Sequence, residues 1–292
     1  MKIETRSLVK KFGGKVALNN LDLTIESNKI IGLLGRNGSG KTTLLQLLAG
    51  HIKPSSGEVL INGERPFNQG NILKNICLIS EANNFKRKLK IKEILKIVGR
   101  FYPNWSQQTA ERLLEEFNLT PSLHAKGLSK GMESSLSIII GLSSHSNITV
   151  FDEPYIGMDA SARYRFYDIL LEEYEMHPRT FIISTHLIDE VSNLFEEVIL
   201  IQNGSMLMHE STEEMKNKSL KVTGSKDKID VFSEGKNVIH TGQIMGQKTV
   251  LIYGEKGIDE EQAKAMGLLF ERCSIQELMV HLTNYQEEDL HV

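Results

Sequence analysis

The stretch Gly35-Arg36-Asn37-Gly38-Ser39-Gly40-Lys41-Thr42 decides the fold. It fits G-x-x-x-x-G-K-[ST], a loop whose backbone N–H groups cradle phosphate. Just upstream, Ile30-Ile31-Gly32-Leu33-Leu34 is an apolar run of strand length. Downstream, Leu44, Leu45, Leu47 and Leu48 carry a helical pattern that stops at Gly50. Strand, glycine loop and helix N-terminus together aim a row of N–H dipoles at an anion. Gly35, Gly38 and Gly40 let the backbone close around phosphate with no side chain in the way. Lys41 offers a cation to the terminal phosphates, and the Thr42 hydroxyl can reach a bound magnesium ion. Arg36, Asn37, Ser39 and Thr43 complete the expected contact set. The bland alternative is a glycine-rich turn before an ordinary core helix; finding strand, loop, Lys-Thr and helix in one series argues against it. The pattern implies binding of a nucleoside triphosphate.

Outward from the loop the chain reads as α/β. Leu21, Leu23 and Ile25 alternate with polar residues, the period of a half-buried strand. Phe12 stands at a turn before that strand, either a packing residue or a ring able to stack on a base. Asn62-Gly63 after Val59-Leu60-Ile61 is a hairpin-turn signal. Ile76 to Ile79 is a further apolar run that leads into Ser80-Glu81. Residues 85–127 read as helical, with stripes Ile91, Ile94, Leu95, Val98 and Ala110, Leu113, Leu114, Phe117. The basic run from Lys86 to Lys92 is either a solvated face or a contact with acidic headgroups or a partner. Leu128-Ser129-Lys130-Gly131-Met132 opens another helix. Ile148-Thr149-Val150-Phe151 is a buried strand ending in Asp152-Glu153-Pro154, and Phe181-Ile182-Ile183-Ser184 ends in Thr185-His186. Such strand ends are where an open α/β sheet places its ligands. Glu153, next along the pleat from Asp152, is expected on the opposite side. Beyond residue 215, short strand-like runs at 220–223, 237–240 and 249–253 and a closing helix form a small α/β appendage with no catalytic motif.

Composition narrows the class. The chain has 292 residues, 40% apolar and 24% charged, as a soluble globular protein does. A net charge of −3 gives no general reason to bind nucleic acid. Cys77 and Cys273 carry no metal-ligand spacing and read as buried thiols in a reducing compartment. The N-terminus shows no signal-peptide pattern and no apolar run is long enough to span a bilayer, so any spanning is expected of another chain.

In their order, these motifs resemble the nucleotide-binding subunit of an ATP-binding cassette (ABC) transporter, over residues 1–215 or so. The series is phosphate loop, helical insertion, Leu-Ser-x-Gly, Asp152-Glu153-Pro154, Gly157-Met158-Asp159 and Thr185-His186. The resemblance implies a P-loop NTPase of the ABC type: a parallel core sheet, an antiparallel β subdomain, a helical subdomain at about 85–145, and a C-terminal α/β domain at 216–292. It implies ATP and Mg2+ as cofactors, with Phe12 stacking on adenine and Thr42, Asp152 and Glu81 serving the metal. Glu153 would polarise the attacking water and His186 would contact the γ-phosphate. Ser129 and Gly131 would cap ATP held by a second subunit, and Asp159 lies in the loop coupling the two sites. Three departures stand out. Glu81 replaces the usual Gln, Lys130 and Met132 replace Gly and Gln in the signature, and no acidic glycine-rich segment precedes Leu128. The looser signature, Phe101-Tyr102-Pro103-Asn104-Trp105 and the appendage look like separate-subunit bacterial exporters of antimicrobial peptides, lantibiotics or related amphipathic substrates. The implied partners are transmembrane permease subunits and a second nucleotide-binding subunit, identical or homologous, with no nucleic acid. The implied location is the cytoplasmic face of a bacterial membrane. Two alternatives remain beside ATP-driven export. One is a catalytically weak gating subunit; the other is a soluble ABC ATPase acting on ribosomes or DNA, which normally carries two cassettes or a long coiled coil.

Overall fold

The computed structural model describes residues 1–80, 85–244, 246–254 and 258–289. The chain divides into two compact units, Met1–His186 with Asn193–Met208, and Leu187–Ser192 with His209–Val292.

In the first unit, β1 (Ile3–Phe12), β2 (Lys15–Ile25) and β4 (Ser56–Ile61) form an antiparallel sheet in the order β2-β1-β4. Its buried residues include Leu8, Leu18, Leu21, Leu23 and Ile25; the last three follow period-two alternation, and the register shift before Lys10 separates them from Leu18. The central sheet adds β3 (Ile30–Leu34), β5 (Ile76–Ile79), β6 (Ile148–Asp152), β7 (Thr180–Ser184), β8 (Glu197–Gln202) and β9 (Ser205–Ser211), in the order β5-β6-β7-β3-β8-β9. Pairs β5·β6, β6·β7, β7·β3 and β3·β8 are all parallel. β3, β6 and β7 are buried along their whole length, which explains why they read as continuous apolar runs rather than alternating ones. Register places Leu33, Ser184 and Asp152 in one row across three strands. The chain therefore leaves β3, β6 and β7 at one level, on one rim of the sheet. α1 (Lys41–Leu48) starts at that rim and buries Leu44, Leu45, Leu47 and Leu48.

The insertion is less helical than its composition predicts. α2 (Gly70–Leu73) precedes β5, and helix in the segment 85–127 is mainly α3 (Ile91–Val98) and α4 (Gln107–Glu116). Turns occupy much of the rest, and a backbone bridge joins Lys90 to His124. α4 is capped by Ser106, which accepts from the Thr109 N–H at 3.1 Å. α5 (Lys130–Ser143) follows and is buried from Ser134 onward, and α6 (Ala160–Met176) follows β6. Asn62-Gly63 forms the expected turn, with φ of +50° and +82°, but the second strand is missing. Across the turn only the isolated Ile61–Glu64 bridge forms, and the chain moves on to α2. Asn203-Gly204, with φ of +49° and +80°, does close a hairpin, between β8 and β9.

The second unit carries α7 (Ile188–Val191), α8 (Thr212–Asn217), β10 (Ser219–Ser225), α9 (Lys226–Ser233), β11 (Val238–Ile244), β12 (Gln247–Tyr253), α10 (Glu260–Ala265), β13 (Leu269–Glu271) and α11 (Ile275–Asp289). Its antiparallel sheet runs β11-β12-β10-β13. Leu220, Val222, Val250 and Ile252 pack there with Ile229, Phe232, Ala263 and Leu268. Those last four come from α9, α10 and the loop before β13, none of which the sequence pattern predicts. Both cysteines are buried, one in each unit, and burial pushes both thiols up, Cys273 to about 11. Among the described residues, no helix is long and apolar enough to cross a membrane.

Candidate functional site

Along the rim, the loop from Gly35 to Lys41 is held from behind. The Gly204 N–H donates to Ser39 O at 2.9 Å, and the Asn19 N–H donates to Gly204 O at 2.8 Å. A Cβ on Gly40 would lie 2.7 Å from Ala17 O, and one on Gly35 would lie 2.3 Å from Ile201 O. Both glycines also have positive φ, so sterics and backbone conformation each require glycine. Gly38, at φ +82°, has open space where its Cβ would be.

Inside the loop, Lys41 is buried and donates to Gly35 O at 2.7 Å and Arg36 O at 3.3 Å. Two of its three donors are thus spent on the loop itself, and one remains. Burial lowers the Lys41 ammonium below its ordinary value, and the carboxylates of Glu153 and Asp152 work against that shift. The Ser39 hydroxyl is buried with no hydrogen-bond partner. An ammonium in the cleft wall with one donor left suits an anion that would accept it. Thr42 is exposed and Thr43 half-buried at the start of α1; Arg36 and Asn37 are exposed on the loop.

A cleft of about 360 Å³ joins these parts. Its walls include Phe12, Asn37, Gly38, Lys41, Thr42, Thr43, Asp152 and Glu153. Phe12 ends β1, is half exposed, and has Lys10 Nζ 4.8 Å from its ring centre. Ring, loop and carboxylates therefore share one concave surface, although they come from three strands.

The acidic wall is made by side chains rather than backbone. Asp152 is buried and accepts from the Ser184 hydroxyl on the neighbouring strand. Glu153 does not continue the pleat. Its φ is +51°, so the chain turns out of β6 there, and the alternation expected for residues 152 and 153 does not apply. A non-glycine residue in that region costs about 1–3 kcal/mol and persists where surroundings hold it. Here the Glu153 N–H donates to Ser184 O at 3.2 Å. Its Oε2 accepts from the Tyr155 hydroxyl at 2.7 Å and lies 2.7 Å from His186 Nδ1. Tyr155 also meets the Thr185 hydroxyl and accepts from the His186 N–H at 3.2 Å. Burial, and then the Glu153 carboxylate, hold the Tyr155 phenol well above its usual range, so it keeps its proton at neutral pH. Tyr155 and Ser184 have no sequence signal of their own. The nearest clue to Tyr155 is a hydroxyl-bearing ring two places after a site carboxylate.

Ser129, Gly131 and Asp159 lie outside this cleft. The Ser129 hydroxyl caps α5, accepting from the Met132 N–H at 3.3 Å, and Asp159 caps α6, accepting from the Ala162 N–H at 2.9 Å. A Cβ on Gly131 would be 2.6 Å from Gly157 O, so the Leu-Ser-x-Gly segment and the loop before Asp159 touch each other. Glu81 lies outside the described residues.

The chain is similar to several known proteins. The ABC transporter family matches residues 18–156. The bacitracin transport ATP-binding protein BcrA of Bacillus licheniformis is 28% identical over 298 residues, 99% of this chain and 96% of that protein. The Nod factor export ATP-binding protein I of Cupriavidus metallidurans is 30% identical over 219 residues, 73% of this chain and 72% of that one. An ATP-binding subunit of an ABC transporter shares the fold with a TM-score of 0.67 at 22% identity, covering 74% of this chain and 92% of that chain. A post-hydrolysis dimer of the ATP-binding cassette MJ0796, bound to ADP and Pi, gives 0.63 at 21% identity, covering 72% and 98%. The chain belongs to the ATP-binding proteins of ABC transporters and is an ATPase with the P-loop fold of that family.

Proposed function

We propose that this subunit hydrolyses ATP to drive export of a small amphipathic or peptide substrate through separate transmembrane subunits, from the cytoplasmic face of a bacterial membrane. The observation that carries the ATPase site is the single cleft lined by Phe12, the glycine loop, Asp152 and Glu153. Support for export comes from the likeness to bacitracin transport and Nod factor export proteins, the first along nearly the whole chain.

Each residue has a physical task in this reading. Phe12 stacks on adenine, while the amides from Gly35 to Gly40 and the ammonium of Lys41 hold the phosphates. The third donor of Lys41 would find its acceptor there. Thr42, Asp152 and, by position, Glu81 supply oxygen ligands of the kind magnesium takes. Magnesium is usually bound by one or two carboxylates together with substrate phosphates, so in this reading the ion arrives with the triphosphate. When bound, magnesium would neutralise charge building on the phosphate oxygens. Glu153 accepts the proton of the attacking water, whose oxygen bonds to the γ-phosphorus as the bond to the β-phosphate oxygen breaks, leaving ADP and phosphate. His186, mostly exposed beside Glu153, is free to turn toward the γ-phosphate. Ser129 and Gly131 cap the nucleotide of a second subunit, with Asp159 coupling the two sites.

The test uses two variants and light scattering with magnesium-ATP, adding the paired subunit if the working dimer is mixed. Glu153→Gln should accumulate a dimer with two trapped ATP molecules. Adding Ser129→Arg should leave monomers that still bind ATP. Equal dimerisation by both would remove the capping assignment.

A further inference from the structure

We propose that Tyr155 positions the Glu153 carboxylate for hydrolysis, pinning Oε2 so that Oε1 is the oxygen left to take the proton of the attacking water. The inference rests on the reading of Glu153 as the base.

Three observations carry it. Both side-chain bonds to Glu153 fall on Oε2, from the Tyr155 hydroxyl at 2.7 Å and His186 Nδ1 at 2.7 Å. The two neighbours are not equivalent, however. The His186 side chain is 59% exposed, whereas Tyr155 as a residue is only 3% exposed. His186 can therefore swing away toward a phosphate, and Tyr155 is the partner that stays.

The second observation is the hydrogen-bond arithmetic at the phenol. Its oxygen receives the His186 N–H at 3.2 Å and sits against the Thr185 hydroxyl. With Thr185 as donor both acceptor positions are filled, so the one phenolic proton points to Glu153. A hydroxyl needing only to be satisfied in the core could have used Thr185 and the backbone, without a carboxylate at the wall of a cleft.

Third, the segment bearing Tyr155 is anchored. The Ser134 hydroxyl donates to Ile156 O at 2.7 Å, and Gly157 O packs against Gly131 at the start of α5. Glu153 itself is held in a left-handed turn at φ +51° by its N–H bond to Ser184 O. A carboxylate on a fixed backbone with one oxygen tied retains little freedom, and such restriction favours a single line of attack.

Tyr155→Phe keeps the ring and removes only the proton donor. Its steady-state turnover should fall about tenfold, the scale of one lost charge-assisted hydrogen bond, while KM for ATP stays within about twofold. ATP affinity by calorimetry should match the parent, which also shows that the variant is folded. The decisive arm repeats the substitution in Glu153→Gln. Since the phenol acts through the carboxylate, the double variant should have the same residual rate as Glu153→Gln alone. Parental turnover of Tyr155→Phe beside a dead Glu153→Gln would overturn the positioning role and leave the base assignment standing. So would an equal further loss in the Gln background, which would mark the hydroxyl as structural. A Glu153→Gln enzyme at the parental rate would instead remove the base assignment, and this proposal with it.

Discussion

The two walls of the cleft are built from different material. The loop from Gly35 to Thr42 is mostly backbone, and its glycines stand at φ values of +149°, +82° and +111°. Its buried cation, Lys41, is folded onto the loop's own carbonyls. The opposite wall is a relay of side chains, Ser184 to Asp152 and Thr185 through Tyr155 to Glu153 and His186. Backbone amides provide a fixed dipole field that binds an anion in any state of the reaction. Side-chain carboxylates can move a proton. In the proposed function binding belongs to the loop and chemistry to the strand ends, and the two should separate by mutation.

The largest effect is expected on the chemical wall. Glu153→Gln should lower turnover by about 10²–10⁴-fold, the usual range for a lost general base, with ATP affinity preserved in calorimetry. A comparable drop in affinity would mean that the walls are not separable.

A third carboxylate sharpens the contrast. Glu173 on α6 is buried and accepts from Arg112, with Arg179 at 3.7 Å and His145 at 3.5 Å. Like Glu153 it lies beside a histidine, but it is paired with two arginines and lines neither side of the cleft. Replacing it with Ala leaves Arg179 buried without its carboxylate, so about 3–5 kcal/mol of stability should be lost. Urea denaturation should show that loss while turnover per folded molecule stays near parental. Although burial raises the Glu173 carboxyl, His145 and the two arginines outweigh it and hold it below its ordinary value. Its contribution should accordingly be complete above the usual carboxylate range and fade as pH falls through the lowered value.

The smallest effect belongs to the edge of the binding wall. Phe12→Ala should weaken ATP by roughly 1–2 kcal/mol, the range for stacking on a base, and Phe12→Tyr should be nearly neutral. Unchanged affinity in the Ala variant would make Phe12 a packing residue only.

The same contrast governs what could be read from the sequence. Glycine spacing and unbroken apolar runs are local, so the loop, β3, β6, β7 and α1 are legible without coordinates. The relay is not. Which group Tyr155 meets depends on the left-handed turn at Glu153, and a pleated strand would have sent that side chain elsewhere. Asn62-Gly63 teaches a related limit. The dipeptide fixes the turn, but only tertiary pairing decides whether a second strand follows, and here β4 pairs with β1 instead. In the second unit, α9 and α10 are short and their apolar stripes rest on one or two residues, too few for a helical period to stand out.

The most direct test of the division between walls is the state of nucleotide retained by two variants incubated with radiolabelled magnesium-ATP, filtered and resolved by thin-layer chromatography. Glu153→Gln should retain uncleaved ATP, and Lys41→Ala should retain almost none. ADP on Glu153→Gln at the parental rate, or full retention of ATP by Lys41→Ala, would contradict the assignment of chemistry to the strand ends and binding to the loop.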